Sequence, residues 1–82
     1  EIKSSGFLEG GVFISEYLKN QGFVSGITLK VANGSSSGNL KVNDTFLVEQ
    51  DGQFTNEENG TIEASNGITI KGELINKGGL FS

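Results

Sequence analysis

A short phrase recurs along the chain and limits what it can fold into: an apolar residue, one spacer, Asn, an insert of variable length, then Gly. It reads "LKNQG" at Leu18-Asn20-Gly22, "FTNEENG" at Phe54-Asn56-Gly60 and "LINKG" at Leu74-Asn76-Gly78. A looser copy stands at Val31-Asn33-Gly34. Asn and Gly accept the backbone angles of tight corners, and Asn also folds its amide back onto the chain, so a repeated Asn–Gly phrase marks repeated corners. Between the corners lie short runs in which apolar and polar residues alternate: Val12-Phe13-Ile14, Ile27 to Val31, Leu40-Lys41-Val42, Thr45 to Val48, Thr61-Ile62-Glu63 and Ile68-Thr69-Ile70. Alternation of period two turns every second side chain inward, the signature of a strand. The best helical stretch, "ISEYLKN" over Ile14–Asn20, is at most two turns long.

Strand starts at Val12, Ile27, Thr45 and Ile68 give degenerate repeats of 15, 18 and 23 residues. This suits an all-β chain wound as a short β-solenoid of about four coils. Asn20, Gly22, Asn56, Gly60, Asn76 and Gly78 would stand at its corners, with aliphatic and aromatic columns inside. The alternative is a small antiparallel β-sandwich or barrel, whose hairpins would use the Asn-Gly pairs at 33–34, 59–60 and 66–67 as two-residue turns. "NGSSSGN", Asn33 to Asn39, reads as a flexible loop tip between resumed strands.

Eighty-two residues form one domain, 1–82, with a thin core. Cys and His are both absent, so neither disulfides nor ordinary zinc or haem ligands reinforce it, and association or membership of a larger chain is left. With Glu first and no Met, the chain reads as a processed product or a fragment. The six positive charges are all Lys against ten acidic residues, net -4, which disfavours nucleic acid. The longest apolar run is three residues, "VFI", so no segment inserts into a membrane.

Chemistry-bearing patterns are weak. Asp44, Glu49, Asp51, Glu57, Glu58 and Glu63 could supply acid and base, but their spacing is that of solvated strand faces. Ser15, Ser25 and Ser35 lack a histidine base, and no G-x-S-x-G frame occurs. Read as a calcium loop from Asp51, position six is Asn56 and position twelve Ile62, which fails the EF-hand pattern and leaves only a surface calcium on Asp51, Glu57 and Glu58 to consider. The chain reads as a non-enzyme without cofactor.

"GTIEASNGITIKGELINKG" is similar to two β-helical families. Gly72 to Leu80 resembles the G-x-L-x-N-x-G-x-L rhythm of filamentous-haemagglutinin-like adhesin repeats, and Ile70 to Leu74 resembles the coils of bactofilin cytoskeletal filaments. Either resemblance implies a structural or adhesive role without a catalytic site. A solenoid bares a strand edge at each end, so Phe7, Leu8, Val12 and Phe13 near the start and Leu80 and Phe81 near the finish are the expected self-association residues, giving a homo-oligomer or polymer. The setting expected is extracellular, on a cell surface or on a virion. A capsid decoration or fibre domain, and a small glycan-binding module, stand as the alternatives.

Overall fold

The structure, a computed structural model, describes residues 1–2 and 6–81, leaving aside the side chain of Phe81. It is a β-solenoid of about four turns, with no helix among the described residues. The first coil carries β1 (Phe7–Glu9) and β2 (Val12–Asn20); the second is β3 (Phe23–Ser36) and the third β4 (Asn39–Asn56). The fourth carries β5 (Thr61–Ala64), β6 (Gly67–Ile70) and β7 (Glu73–Asn76), and β8 (Gly79–Phe81) opens a fifth. Every strand pair is parallel: β3 receives β1 and β2 on one edge and β4 on the other, β4 then receives β5, β6 and β7, and β5 receives β8. A sandwich built from hairpins would pair antiparallel, so the winding excludes it.

Register explains the core. Leu8, Val24, Leu40, Ile62 and Leu80 stack rung upon rung. So do Phe13, Leu29, Phe46 and Ile68, and a third column runs through Ser15, Val31, Val48 and Ile70. Side chains in the middle coils have a rung above and below, and Val24, Leu29, Val31, Leu40, Val42, Phe46, Val48, Phe54 and Ile62 are buried. Phe46 meets Phe54 edge to face with centroids 5.6 Å apart, so the two largest core rings lock neighbouring columns together. At the Leu18–Phe54 column the second coil places Gly34 at φ 137°, where a Cβ would overlap the carbonyl oxygen of Leu18. That strand position is open only to glycine.

Three expectations are corrected. Residues 33–39 form no flexible loop tip: Asn33 to Ser36 finish β3, Ser37 and Gly38 make a two-residue corner and Asn39 starts β4. "ISEYLKN" is strand throughout, because Ile14 and Ser15 pair with Lys30 and Val31 while Tyr17 to Asn20 pair with Asn33 to Ser36. Its alternation shifts phase at Glu16, the corner residue between those two pairings, and that imitated a helical spacing. The rung partners of Val12 are Thr28, Thr45 and Gly67, so Ile27 and Ile68 each miss the shared register by one residue. Ile27 is half exposed beside a register shift between Gly26 and Thr28.

The coils differ in length at their corners only. The chain advances 16 residues from Phe7 to Phe23 and 16 more to Asn39, then 22 to Thr61 and 18 to Gly79. In the third coil the additions fall at Asn43–Asp44, where the second coil has Ile27 alone, at Glu49–Gly52, where it has Ala32 alone, and at Glu57–Gly60, where it has Ser37 and Gly38.

Candidate functional site

One corner of the coil is built from amides. Asn20, Ser36, Asn56 and Asn76 occupy a single rung position in successive coils, and Asn20, Ser36 and Asn56 are buried. The Gly22 N–H donates to Asn20 Oδ1 at 3.0 Å and the Gly78 N–H to Asn76 Oδ1 at 3.3 Å, so each of these Asn residues closes its own turn onto the glycine two residues on. The other half of the amide runs along the axis. Asn20 Nδ2 donates to Ser36 Oγ at 3.1 Å and to the Asn39 carbonyl at 3.2 Å; Asn56 Nδ2 donates to Asn76 Oδ1 at 2.9 Å and to the Gly79 carbonyl at 3.1 Å.

Glycine follows in its own column. The N–H of Asn39 donates to the Gly22 carbonyl, that of Thr61 to Gly38 and that of Gly79 to Gly60, so Gly22, Gly38 and Gly60 are equivalent and Gly78 continues the series. A Cβ on Gly38 would overlap the Gly22 carbonyl oxygen, and one on Gly78 would overlap that of Gly60. The second copy of the phrase is therefore Ser36-Ser37-Gly38, with Ser in the Asn position, and Val31-Asn33-Gly34 lies elsewhere in the coil. Chemical similarity of Ser to Asn, together with the downstream Leu40, was the available signal.

The third copy carries a defect. Glu58 and Asn59 stand between Glu57 and Gly60, and the Gly60 N–H turns to the Glu57 carbonyl at 2.9 Å. Asn56 Oδ1, fully buried, is left without a hydrogen-bond partner.

The predicted association residues fall at the two ends. Phe7, Leu8, Val12 and Phe13 belong to the first coil. Phe7 is 60% exposed and Val12 61%, while Phe13 is partly buried against the core. Leu80 lies in β8 at the opposite end, 38% exposed. Phe81 pairs its backbone with Glu63, and its side chain is outside the described residues. Sequence reasoning did not single out Ile14, Tyr17 and Ile70 as end residues, yet they are exposed on the same terminal coils. Nothing in period-two alternation reveals that a coil is the last one, so this signal was missing.

Both ends present strand edges. Among the described residues the outer edge of β2 is met only by a parallel bridge from Ile2 to Asn20, and β6, β7 and β8 carry no strand on their outer side. The remaining polar residues are dispersed. No three Asp or Glu side chains among the described residues gather closely enough to hold a metal, and Asp51 and the Glu57–Glu58 pair stand at two separate corners. Asp44 accepts from Asn66 Nδ2 at 2.6 Å, and Lys41 pairs with Glu63 at 3.9 Å in solvent, a contact of small energetic weight. A shallow open groove of about 350 Å³ crosses the outer face between Val12, Thr28, Lys30, Asp44, Thr45 and Leu47. Compared with known proteins, the chain matches no protein-family model, no curated protein and no solved structure.

Proposed function

We propose that this chain is a non-catalytic structural or adhesive element, a self-associating subunit or segment of an extracellular filament or surface adhesin, and that its ends do the work. The observation carrying this reading is the pair of open strand edges among the described residues, β2 at one end and β6–β7–β8 at the other, each flanked by exposed apolar side chains. Open edges carry rows of free N–H and C=O groups, and a solenoid is extended by adding another rung to them. Columns closed by packing, and amides engaged with backbone, support a role in holding shape. Sedimentation velocity across a concentration series, with electron microscopy of the concentrated sample, tests the reading. Concentration-dependent species longer than the monomer are expected; a monomer at millimolar concentration that retains its β-type circular dichroism overturns it.

A further inference from the structure

Three Asn-Gly pairs stand in the chain, at 33–34, 59–60 and 66–67. Such a pair carries chemistry of its own. With no Cβ on the glycine, its backbone nitrogen can approach the side-chain carbonyl carbon of the asparagine with little obstruction. We infer that Asn59 is a self-modification site: the Gly60 nitrogen closes on Asn59 Cγ to form a succinimide, which water opens to aspartate or isoaspartate. The inference goes beyond the structural and adhesive reading and does not depend on it.

The new bond joins Gly60 N to Asn59 Cγ while the Cγ–Nδ2 bond breaks. Gly60 N gives up its proton, and Nδ2 leaves as ammonia. Water then splits one of the two C–N bonds of the ring. Cleavage at Cγ gives aspartate; cleavage at the main-chain carbonyl leaves the chain running through the side chain, longer by one methylene.

How firmly each pair is held decides among the three. Asn33 lies inside β3 between its rung partners Tyr17 and Gln53, and its Oδ1 accepts from the Gln53 N–H at 3.0 Å. Gly34 is paired with both Leu18 and Phe54, so ring closure there requires the ladder to open. Asn66 is exposed at a corner, but Asp44 holds it twice. The Asn66 N–H donates to the Asp44 carbonyl at 2.9 Å, and Nδ2 donates to the Asp44 carboxylate at 2.6 Å. The second of these bonds is charge-assisted and restrains the amide that must turn toward Gly67. Asn59 is exposed as well, and among the described residues its side chain has no hydrogen-bond partner.

The backbone around Asn59 is slack between two pinned flanks. The Glu57 N–H donates to the Ser36 carbonyl at 2.7 Å and the Thr61 N–H to the Gly38 carbonyl at 2.9 Å. Between them, Glu58 and Asn59 form a turn outside the paired rungs. Gly60 is buried and its carbonyl is held by the Gly79 N–H, so the reaction proceeds by turning Asn59 onto the glycine. Freeing the Gly60 nitrogen breaks one bond, its 2.9 Å contact with the Glu57 carbonyl. Because the added methylene falls outside the rungs, the product keeps the fold. Its formal net charge moves from -4 to -5, and the new carboxylate joins Glu57 and Glu58 at a single corner.

Incubating the folded chain at neutral pH, and a second sample unfolded in urea, gives the rate at each pair with and without the fold. Cleavage after glutamate places Asn59 in fragment 59–63 and Asn66 in fragment 64–73, where mass spectrometry detects the exchange of an amide for an acid. Asn59 should convert first, about two- to ten-fold slower than in urea, the effect of one turn hydrogen bond. Asn66 should be slowed about ten- to hundred-fold by its bond to a charged group, and Asn33 about a hundred-fold or more. Asp44→Ala should speed Asn66 about ten-fold and leave Asn59 unchanged, and Asn59→Gln should remove the first acidic species from anion exchange. Conversion at Asn33 or Asn66 ahead of Asn59, or Asn59 slowed as much as Asn33, would overturn the site. An Asn66 rate unmoved by Asp44→Ala would overturn the account of its protection. Loss of β-type circular dichroism on conversion would overturn the claim that the corner absorbs the change.

Discussion

Deleting Glu58 and Asn59 should stabilise the protein, although it removes two residues from the third corner. In the first and fourth copies Asn, one spacer and Gly close the turn through a Gly N–H to Asn Oδ1 bond; in the third the two inserted residues separate the glycine from its asparagine, and Asn56 Oδ1 is buried without a partner. The flanking bonds already match on both sides of the insertion. The Glu57 N–H donates to Ser36 as the Ser37 N–H donates to Asn20, and the Gly60 carbonyl accepts from Gly79 as the Gly22 carbonyl accepts from Asn39. Joining Glu57 to Gly60 therefore recreates the geometry of Asn20-Gln21-Gly22. A buried unsatisfied oxygen costs about 1–3 kcal/mol, and the Gly60 to Glu57 turn bond that is lost is worth about 0.5–1.5 kcal/mol, so the net gain is about 1 kcal/mol. For a domain of this size that raises the melting temperature by roughly 4–8 °C. Thermal unfolding followed by circular dichroism, with urea titration alongside, measures it. A double-mutant cycle adds specificity: Asn56→Ala should cost about 1 kcal/mol more in the shortened chain than in the parent. A shortened chain with native dichroism and an unchanged or lower melting temperature would refute the reasoning.

Other outcomes follow from the same contacts. Gly38→Ala forces a methyl onto the Gly22 carbonyl and should destabilise by about 1–3 kcal/mol in urea titration, whereas Gly11→Ala, with no atom near its added Cβ, should stay within about 0.5 kcal/mol of the parent. Phe46→Ala empties the centre of a closed column and should cost about 3–5 kcal/mol, enough to leave much of the chain unfolded by near-ultraviolet dichroism at 25 °C. Leu80→Asp should abolish concentration-dependent association while shifting the melting temperature little, because Leu80 is partly exposed on the last rung.

The winding was legible because its two ingredients are local. Alternation in Leu40-Lys41-Val42 and Thr61-Ile62-Glu63 reflects the pleat itself, and Asn20, Asn56 and Asn76 announce their corners through a side chain few other positions favour. Register was less legible. Ile27 stands at a corner between the paired residues Gly26 and Thr28, so the most apolar residue of that run is half exposed and the polar Thr28 takes the shared rung. The second corner was hidden because Ser36 replaces the amide with a hydroxyl, and the equivalence shows only in the rung register and in the hydrogen bond from Asn20. The end surfaces were partly legible from their apolar residues. The bridge at Ile2 was not, since two backbone hydrogen bonds leave no trace in residue type.

Rung partners are separated by 16 to 22 residues everywhere along the ribbon. Loop closure depends only logarithmically on length, so the entropic cost of each new turn is nearly constant, differing by about 0.3 kcal/mol between the shortest and the longest. Among the described residues no hairpin offers a local start. Folding should consequently resemble crystal growth, in which forming the first stacked pair of coils is the slow event, later coils add readily on its template, and a preformed end from another molecule can serve as the seed.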